Sequence, residues 1–248
     1  MYKTSKELFK SEYVSYSRLS CYEQCPRQFK LRYLEGIPCP VGKAAQLGKA
    51  VHAIIASFLN DVGPDKTTIC LDISDLREYT IPVCQELRQE GELTVFLNEY
   101  EIDPLLEGLV SLLPKIDYRS IVSIESETNF EVGEYKFKVI TDLILRNSKG
   151  KFTVIDWKTG KPEYVDDSQI QMYALPLFED TSISEIELIY AFLKYGDMRR
   201  FRMARHFVKN VSDEFINRVQ RIEDDNNFLP KPSFLCRFCG VSNHCPEG

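Results

Sequence analysis

Apolar residues recur at helical spacing through the first half of the chain, from about residue 14 to residue 118. The segment "AAQLGKAVHAIIASFLN" places its large apolar residues three and four positions apart, which predicts an amphipathic helix. Residues 16–35 have similar spacing, but Pro26 must start a new helix or kink this one. The helical pattern continues from 75 to 113 and ends in "DPLLEGLVSLLPK". The first half is therefore predicted to be mainly helical.

The pattern changes near residue 120 to short runs of β-branched and aromatic residues. The runs "IVSIESETNFEV", "EYKFKVITDLILRN" and "KFTVIDWKT" are separated by the turn signals "GE" and "NSKG", which predicts three consecutive strands. A helix is predicted in "DDSQIQMYALPLFED", followed by two strands around a turn at Gly196 and Asp197 and by a last amphipathic helix. These elements over 119–228 predict an α/β protein, and residues 229–248 form a tail that contains cysteines.

Composition narrows the classes of protein. With 248 residues, 44% of them hydrophobic, the chain can bury a full core, and we expect a single domain over 1–248. No 18 consecutive residues are apolar and the opening does not resemble a signal peptide, so we expect no membrane segment and a cytoplasmic location. The net charge of −6 argues against a protein that coats nucleic acid non-specifically, but it allows an enzyme with a local basic track.

Two carboxylates interrupt apolar strands. Asp142 lies in "ITDLIL" and Asp156 in "VIDWKTG", and Lys158 follows two residues later on the same face of the strand. Burying a carboxylate is costly unless something compensates for the lost hydration. Mg²⁺ or Mn²⁺ would compensate, since these ions prefer carboxylate oxygens, and Lys158 would orient or deprotonate a metal-held water next to a phosphate. The alternative is that Asp142 sits at an edge and that Asp156 and Lys158 form a surface pair worth less than about 1 kcal/mol.

Asp142 and the stretch "DWKTG", which begins at Asp156, resemble the PD-(D/E)xK nucleases and, within them, the RecB-like branch. The resemblance implies a restriction-endonuclease-like core in which helices flank a mixed central sheet. It also implies metal-dependent hydrolysis of DNA phosphodiester bonds. Residues 60–118 would then be inserted helices, which in relatives cover the active site.

Three further segments match that branch. "LGKAVHA" supplies His52, and the resemblance implies that His52 binds the metal together with the two carboxylates and the carbonyl group of Trp157. "QIQMY" supplies Gln169 and Tyr173, which lie one helical turn apart and would face the active site or DNA. The N-terminal "SRLSCYEQCPRQFKLRYLEG" is similar to the opening of the same branch.

The tail "CRFCGVSNHCPEG" places Cys236, Cys239 and Cys245 at C-x2-C-x5-C spacing. In the cytoplasm thiols stay reduced, so such tight spacing indicates metal or cluster binding. Four thiolates suit either tetrahedral Zn²⁺ or a [4Fe–4S] cluster, and the chemistry alone leaves both open.

A subset of the RecB-like branch, including the CRISPR-associated Cas-four family, carries an iron–sulfur cluster bound by one early cysteine and three late ones. The resemblance favours iron–sulfur over zinc. It implies that Cys25, directly before a proline, is the early ligand, with Cys21 as a lesser candidate. The remaining cysteines have no close partners in sequence and are expected to be small buried hydrophobes: Cys39, Cys70 and Cys84.

Basic residues provide candidate DNA contacts. Arg199, Arg200 and Arg202 lie in "KYGDMRRFRMARHFVKN", and Arg27 lies in "PRQFKLRY" beside aromatic residues. In a strand, alternate residues share a face, so one side can follow phosphates while the other packs. A charged, solvated face is an equal alternative for these residues.

The resemblance implies single-stranded DNA or strand ends as substrate, and it favours prespacer processing in CRISPR adaptation, alongside an integrase complex. Two alternatives stay open. One is a DNA repair or phage recombination exonuclease that works with a helicase, and the other is a non-catalytic iron–sulfur or zinc adaptor that binds DNA. No residue separates these roles, because they differ in partners.

Overall fold

Helices and a five-stranded sheet make up the computed structural model, which describes residues 3–62 and 72–247 apart from the side chain of Tyr164. The α-helices are α1 (Ser5–Ser11), α2 (Tyr16–Gln24), α3 (Pro26–Phe29), α4 (Lys43–Val62), α5 (Ile73–Gln89), α6 (Glu99–Leu112), α7 (Ser168–Ala174) and α8 (Val208–Asp224). The strands are β1 (Ile121–Val132), β2 (Tyr135–Arg146), β3 (Phe152–Lys158), β4 (Glu185–Phe192) and β5 (Asp197–Ala204). The helical first half and the strands after residue 120 are confirmed.

The sheet has the strand order β1-β2-β3-β4-β5. β2 and β3 pair antiparallel, β3 and β4 pair parallel, and β4 and β5 pair antiparallel. A parallel pair requires a crossover connection, and the segment that contains α7 supplies it. This mixed sheet with flanking helices confirms the predicted α/β fold class.

The chain divides into two compact units. The first comprises residues 1–42, 128–139 and 207–248, and the second comprises residues 43–127 and 140–206. Every predicted catalytic and metal-binding residue falls in the second unit, whereas all four predicted cluster cysteines fall in the first. The expectation of a single domain stays a prediction.

The core of the second unit is built from α4, α5, α6 and the central strands. β3 is buried along most of its length because its neighbours in the sheet and the helices cover it, and Trp157 is almost fully enclosed. α6 packs directly on the backbone after β4, where Gly108 faces Leu193. The turn from β4 to β5 uses Gly196 with φ +59, a left-handed conformation that glycine adopts without strain.

The first unit is organised by contacts between α8 and the N-terminal helices. The buried ring of Phe29 stacks on Phe228 with 6.2 Å between centroids. Arg218 of α8, only 4% exposed, donates two hydrogen bonds of 2.7 Å to the carboxylate of Glu23. A bidentate pair of this kind fixes orientation as well as distance. α2 is thereby held against α8, and Pro26 begins α3 as predicted.

The predicted helices over 75–113 are confirmed as α5 and α6, which lie within the stretch 60–118 predicted to be an insertion. Asp72 caps α5 and Asn98 caps α6, each by a capping box that satisfies free backbone donors at the helix start.

Residues 63–71 lie outside the described part of the chain, so the expectation for Cys70 concerns a residue that the structure does not describe. None of the described helices is long and apolar enough to cross a membrane.

Candidate active site

Asp142 and Asp156 occupy neighbouring positions on β2 and β3. The antiparallel register pairs Leu143 with Ile155, and each aspartate is the next residue beyond that pair. Asp142 is 6% exposed and Asp156 is 2% exposed. The alternative of edge and surface carboxylates is therefore wrong, and their burial requires compensation.

The two carboxylate oxygens of Asp142 have different hydrogen-bond partners. The backbone N–H of Trp157 donates to Oδ2 at 2.6 Å, so β3 itself orients the carboxylate. Oδ1 lies 3.2 Å from Nδ1 of His52, which α4 brings in from the helical half of the unit. The structure thus brings together two groups that the sequence analysis assigned to the metal, His52 and Asp142.

Glu125 completes this group, and the sequence analysis did not identify it. Its Oε1 lies 3.7 Å from Nδ1 of His52. One ligand atom from each of His52, Glu125 and Asp142 lies within 4.8 Å of the other two. "IVSIESETNFEV" contains three glutamates, and no periodicity or motif distinguishes this one, because its proximity to His52 exists only in the folded chain.

Lys158 is held beside Asp156 by two contacts. Its Nζ lies 2.7 Å from Oδ2 of Asp156 and donates to Oε1 of Gln169 at 2.7 Å. Gln169 in turn donates from Nε2 to the hydroxyl group of Tyr173 at 2.7 Å, so α7 fixes the amide orientation. The ammonium group also lies over the ring of Tyr190, 5.0 Å from its centroid. The predicted Gln169 and Tyr173 therefore contact the predicted catalytic lysine.

Crowded charges shift the pKa values of this group. Burial lowers the pKa of His52, but the Asp142 carboxylate and hydrogen bonds to Asp142 and Glu125 raise it by more, to about 10. Burial raises the pKa of Asp156, the Asp142 carboxylate raises it further, and Lys158 acts in the opposite direction. The raised pKa favours the protonated ring when no metal is bound, and a cation that binds this ring nitrogen must displace the proton.

The surroundings of the Asp156 carboxylate indicate that the site can bind a cation. Oδ2 is buried and forms an ion pair with the ammonium group of Lys158 at 2.7 Å. Buried carboxylates are costly unless cations compensate for their lost hydration. Together with the oxygens of Asp142, this donor set fits a hard divalent cation such as Mg²⁺ or Mn²⁺.

The first unit contains a second cluster of candidate ligands. All four predicted cluster cysteines line one cavity: Cys25, Cys236, Cys239 and Cys245. The backbone N–H of Lys231 points at Sγ of Cys25 at 3.4 Å, and the N–H of Ser233 points at Sγ of Cys236 at 3.3 Å. Such N–H···S contacts stabilise thiolate ligands and tune the clusters they hold.

Two other cysteines of the first unit do not line that cavity. Cys21 is buried, 3.9 Å from a guanidinium nitrogen of Arg32, and burial raises its pKa to about 11. The expectation that Cys39 is a buried hydrophobe without close partners is wrong, because Cys39 is only half-buried and its sulfur packs against Gly240, directly after Cys239. The expectation for Cys84 is confirmed, since it is buried in the core of the second unit.

Three of the four candidate DNA-binding arginines have acidic or backbone partners. Arg200 lies 3.3 Å from Glu187, and Arg202 lies 3.9 Å from Glu185. Arg199 donates to the carbonyl oxygen of Pro162 and lies 3.9 Å from Asp167. Arg27 lines the cysteine cavity and has a buried Nε without a partner among the described residues. Their DNA-binding role stays a prediction.

A comparison with models of known protein families identifies the superfamily of this chain. A family model described as the PD-(D/E)XK nuclease superfamily matches residues 13–246. The chain belongs to the PD-(D/E)XK nuclease superfamily. Nucleases of the PD-(D/E)XK superfamily use divalent metals, and the group formed by His52, Glu125 and Asp142 fits a metal site.

Matches to individual proteins are weaker than the match to the PD-(D/E)XK family model. Curated proteins give no significant match. Among solved structures, the chain is similar to one titled "Crystal structure of SSO0001", at 19% sequence identity and a TM-score of 0.35, with 78% of this chain and 95% of that chain covered. Membership of the RecB-like branch stays a prediction.

Proposed function

We infer that the chain is a metal-dependent DNA nuclease that hydrolyses phosphodiester bonds, using Mg²⁺ or Mn²⁺. The observation that carries this function is the buried pair of carboxylates Asp142 and Asp156, with the ammonium group of Lys158 2.7 Å from Oδ2 of Asp156. Two buried carboxylates beside this ammonium group suit a site that receives a metal ion and a phosphate.

Different residues have different roles in the proposed reaction. Asp142, Asp156, His52 and the carbonyl group of Trp157 are the metal-binding groups. A bound divalent cation lowers the pKa of its water and neutralises charge on the phosphate. Lys158, fixed by Gln169, orients the attacking water or stabilises the negative charge that develops on the phosphate.

The substrate and partners follow from the resemblance to the RecB-like branch. It supports single-stranded DNA or strand ends as substrate, a cytoplasmic location, and prespacer processing in CRISPR adaptation with an integrase complex. A repair or phage recombination exonuclease that works with a helicase has the same active site. The buried carboxylates argue against an adaptor without catalysis, since an adaptor has no use for their electrostatic cost.

We expect the purified chain to cleave DNA with Mn²⁺ or Mg²⁺ and not in EDTA. Asp156→Asn should lower the cleavage rate by at least about 10²-fold, because it removes a carboxylate from the metal-binding group. Strands labelled at the 5′ or 3′ end, single-stranded and duplex, would report the rate, the polarity and the preferred substrate.

Glu185→Gln is the matched control, because Glu185 is an exposed carboxylate on β4 of the same sheet. It should retain full activity. Cleavage that continues in EDTA, or that survives Asp156→Asn unchanged, would contradict the proposed function.

We also propose that the cysteine cavity holds a [4Fe–4S] cluster through Cys25, Cys236, Cys239 and Cys245, with Zn²⁺ as the less favoured occupant. Two observations support this set: the four residues line one cavity, and backbone N–H groups point at two of the sulfurs. The cluster would join an N-terminal helix to the C-terminal tail within the first unit. Its role would be structural, because closing so long a loop restricts the unfolded chain.

Anaerobically purified protein should be brown, with broad absorbance near about 400 nm and about four iron atoms per chain. Cys25→Ser should lose most of the iron and lower the thermal stability, whereas Cys21→Ser should keep both, because Cys21 does not line the cavity. Colourless protein with stoichiometric zinc would defeat the cluster. Loss of iron in Cys21→Ser alone would transfer the ligand role from Cys25 to Cys21.

A further inference from the structure

Tyr190 of β4 lies directly beside Asp156 of β3. The parallel register pairs these two residues, so both side chains leave the same face of the sheet, which also carries Lys158. Tyr190 is fully buried, with an exposed fraction of 0%. It therefore touches no substrate, and any part that it has in the reaction must act through its neighbours.

The ring of Tyr190 contacts the ammonium group of Lys158. Nζ lies 5.0 Å from the ring centroid, within the range in which an aromatic face attracts a cation. An edge-to-face contact with Phe201 of β5, with 6.1 Å between centroids and 84° between ring planes, holds the ring in this orientation. The ring thus adds a third contact to the two that Lys158 makes with Asp156 and Gln169.

The hydroxyl group of Tyr190 contacts the start of α7. It accepts a hydrogen bond from the backbone N–H of Ile170 at 3.1 Å and donates one to the carbonyl oxygen of Asp166 at 2.8 Å. Those two backbone groups are four residues apart, a spacing that a continuous α-helix bonds directly. The hydroxyl group is therefore inserted into the helical hydrogen-bond pattern and bridges the two groups.

This bridge holds the part of α7 that carries Gln169. Asp167, the residue before the helix, makes no side-chain capping bond, so the hydroxyl group of Tyr190 satisfies a first-turn donor in its place. Gln169 lies in that first turn, between the two bridged residues in sequence, and its Oε1 accepts a hydrogen bond from Lys158 at 2.7 Å. A shift of the first turn would therefore move the amide that holds Lys158.

We propose that Tyr190 is a positioning residue, which fixes Lys158 through its ring and Gln169 through its hydroxyl group. The inference rests on the proposed nuclease function, in which Lys158 acts on the water or the phosphate and must be held in one place. One buried side chain of β4 thereby couples the ammonium group on β3 to the amide on α7. Nothing in "IELIYAF" marks this tyrosine in sequence, because tyrosine is common in strands.

Tyr190→Phe removes only the hydroxyl group and leaves the ring under Lys158. Its kcat for Mn²⁺-dependent cleavage of a labelled strand should fall about five- to ten-fold, which corresponds to roughly one net hydrogen bond. KM and the affinity for Mn²⁺ should keep their wild-type values, because every metal-binding carboxylate remains in place. Tyr190→Leu also removes the ring, and its kcat should fall by about a further two- to five-fold.

Tyr195→Phe is the matched control, because Tyr195 follows β4 and its side chain is exposed. This variant should cleave DNA at the wild-type rate.

A double-mutant cycle distinguishes positioning from a general loss of stability. Gln169→Leu removes the amide through which the hydroxyl group acts. Adding Tyr190→Phe to Gln169→Leu should therefore slow cleavage by less than about two-fold, whereas a change that only destabilises the protein has the same effect in either background. A loss of the same size in both backgrounds would overturn the coupling between Tyr190 and Gln169.

The lysine side chain gives a signal that does not depend on cleavage. Groups that lie over an aromatic face have their NMR signals shifted upfield by the ring. In protein with isotope-labelled lysine, one shifted Cε–H signal should be absent from Lys158→Ala, which assigns it to Lys158. Tyr190→Phe should keep this shift and Tyr190→Leu should lose it. A Lys158 signal at the ordinary position in the wild type would overturn the role of the ring.

The positioning role and the nuclease function fail in different ways. Wild-type cleavage rates in both Tyr190→Phe and Tyr190→Leu would overturn the positioning role and leave the nuclease function standing. A Lys158 signal that depends on the ring of Tyr190, in a wild type that cleaves no DNA with Mn²⁺, would support the placement of Lys158 and contradict the nuclease function.

Discussion

Lys158→Ala is expected to slow metal-dependent DNA cleavage by about 10²- to 10⁴-fold, the range that a positioned acid, base or charge-stabilising group contributes. The ammonium group lies 2.7 Å from both Asp156 Oδ2 and Gln169 Oε1, so its position is defined at the centre of the candidate site. Alanine removes the charge next to the phosphate but leaves every carboxylate in place. Single-turnover cleavage of a labelled single strand in Mn²⁺ would measure the effect.

Metal binding should survive this change, which distinguishes Lys158 from the ligands. Mn²⁺ affinity should be equal or higher in Lys158→Ala, because a positive charge next to the cation site is removed. Lys161→Ala is the control, because Lys161 is an exposed lysine three residues further along the chain. This variant should cleave DNA at the wild-type rate. Full Mn²⁺-dependent cleavage by Lys158→Ala would remove Lys158 from the mechanism.

Gly108→Ala should destabilise the protein by about 3 kcal/mol, near the upper end of the usual cost of overpacking. A Cβ atom at Gly108 would lie 1.5 Å from the carbonyl oxygen of Leu193, which is backbone and cannot rotate away. The helix or the segment after β4 must move as a whole. Thermal unfolding followed by circular dichroism should show a melting temperature lower by roughly 6–12 °C for a chain of this size.

The same change should reduce cleavage at temperatures where the protein is still folded. Leu193 directly follows Phe192, which pairs with Lys158 in the parallel register of β3 and β4. A shift of this backbone would therefore reach the candidate site. Gly42→Ala is the control, because no atom lies within 4 Å of its Cβ position, and its stability should change by less than about 0.5 kcal/mol. An unchanged melting temperature for Gly108→Ala would show that α6 does not pack on the end of β4.

Much of the fold was predictable because its elements carry strong local signals. The 3.6-residue spacing in "AAQLGKAVHAIIASFLN" predicted α4, and β-branched runs with turn residues between them predicted β1 to β3. Sequence spacing alone did not determine the parallel pairing of β3 with β4. Pairing between distant segments depends on which surfaces meet in the folded chain.

The candidate site was partly predictable for a similar reason. Asp142, Asp156 and Lys158 are conspicuous because charged residues are costly inside apolar strands. Glu125 and Cys39 were not conspicuous, since neither has a neighbour in sequence that marks it. Glu125 lies near His52 because β1 passes next to α4. Cys39 lies near the tail because its sulfur packs against Gly240.

The sequence by itself determined the types of element, the superfamily signature around Asp156 and the ligand chemistry of the carboxylates and cysteines, because these depend on residue identity and local spacing. Tertiary structure decided which groups meet. It brought Glu125 to His52, placed the buried carboxylate of Asp156 beside Lys158, and gathered four cysteines from both ends of the chain around one cavity. Those distances result from packing over the whole chain, which no short stretch of sequence specifies.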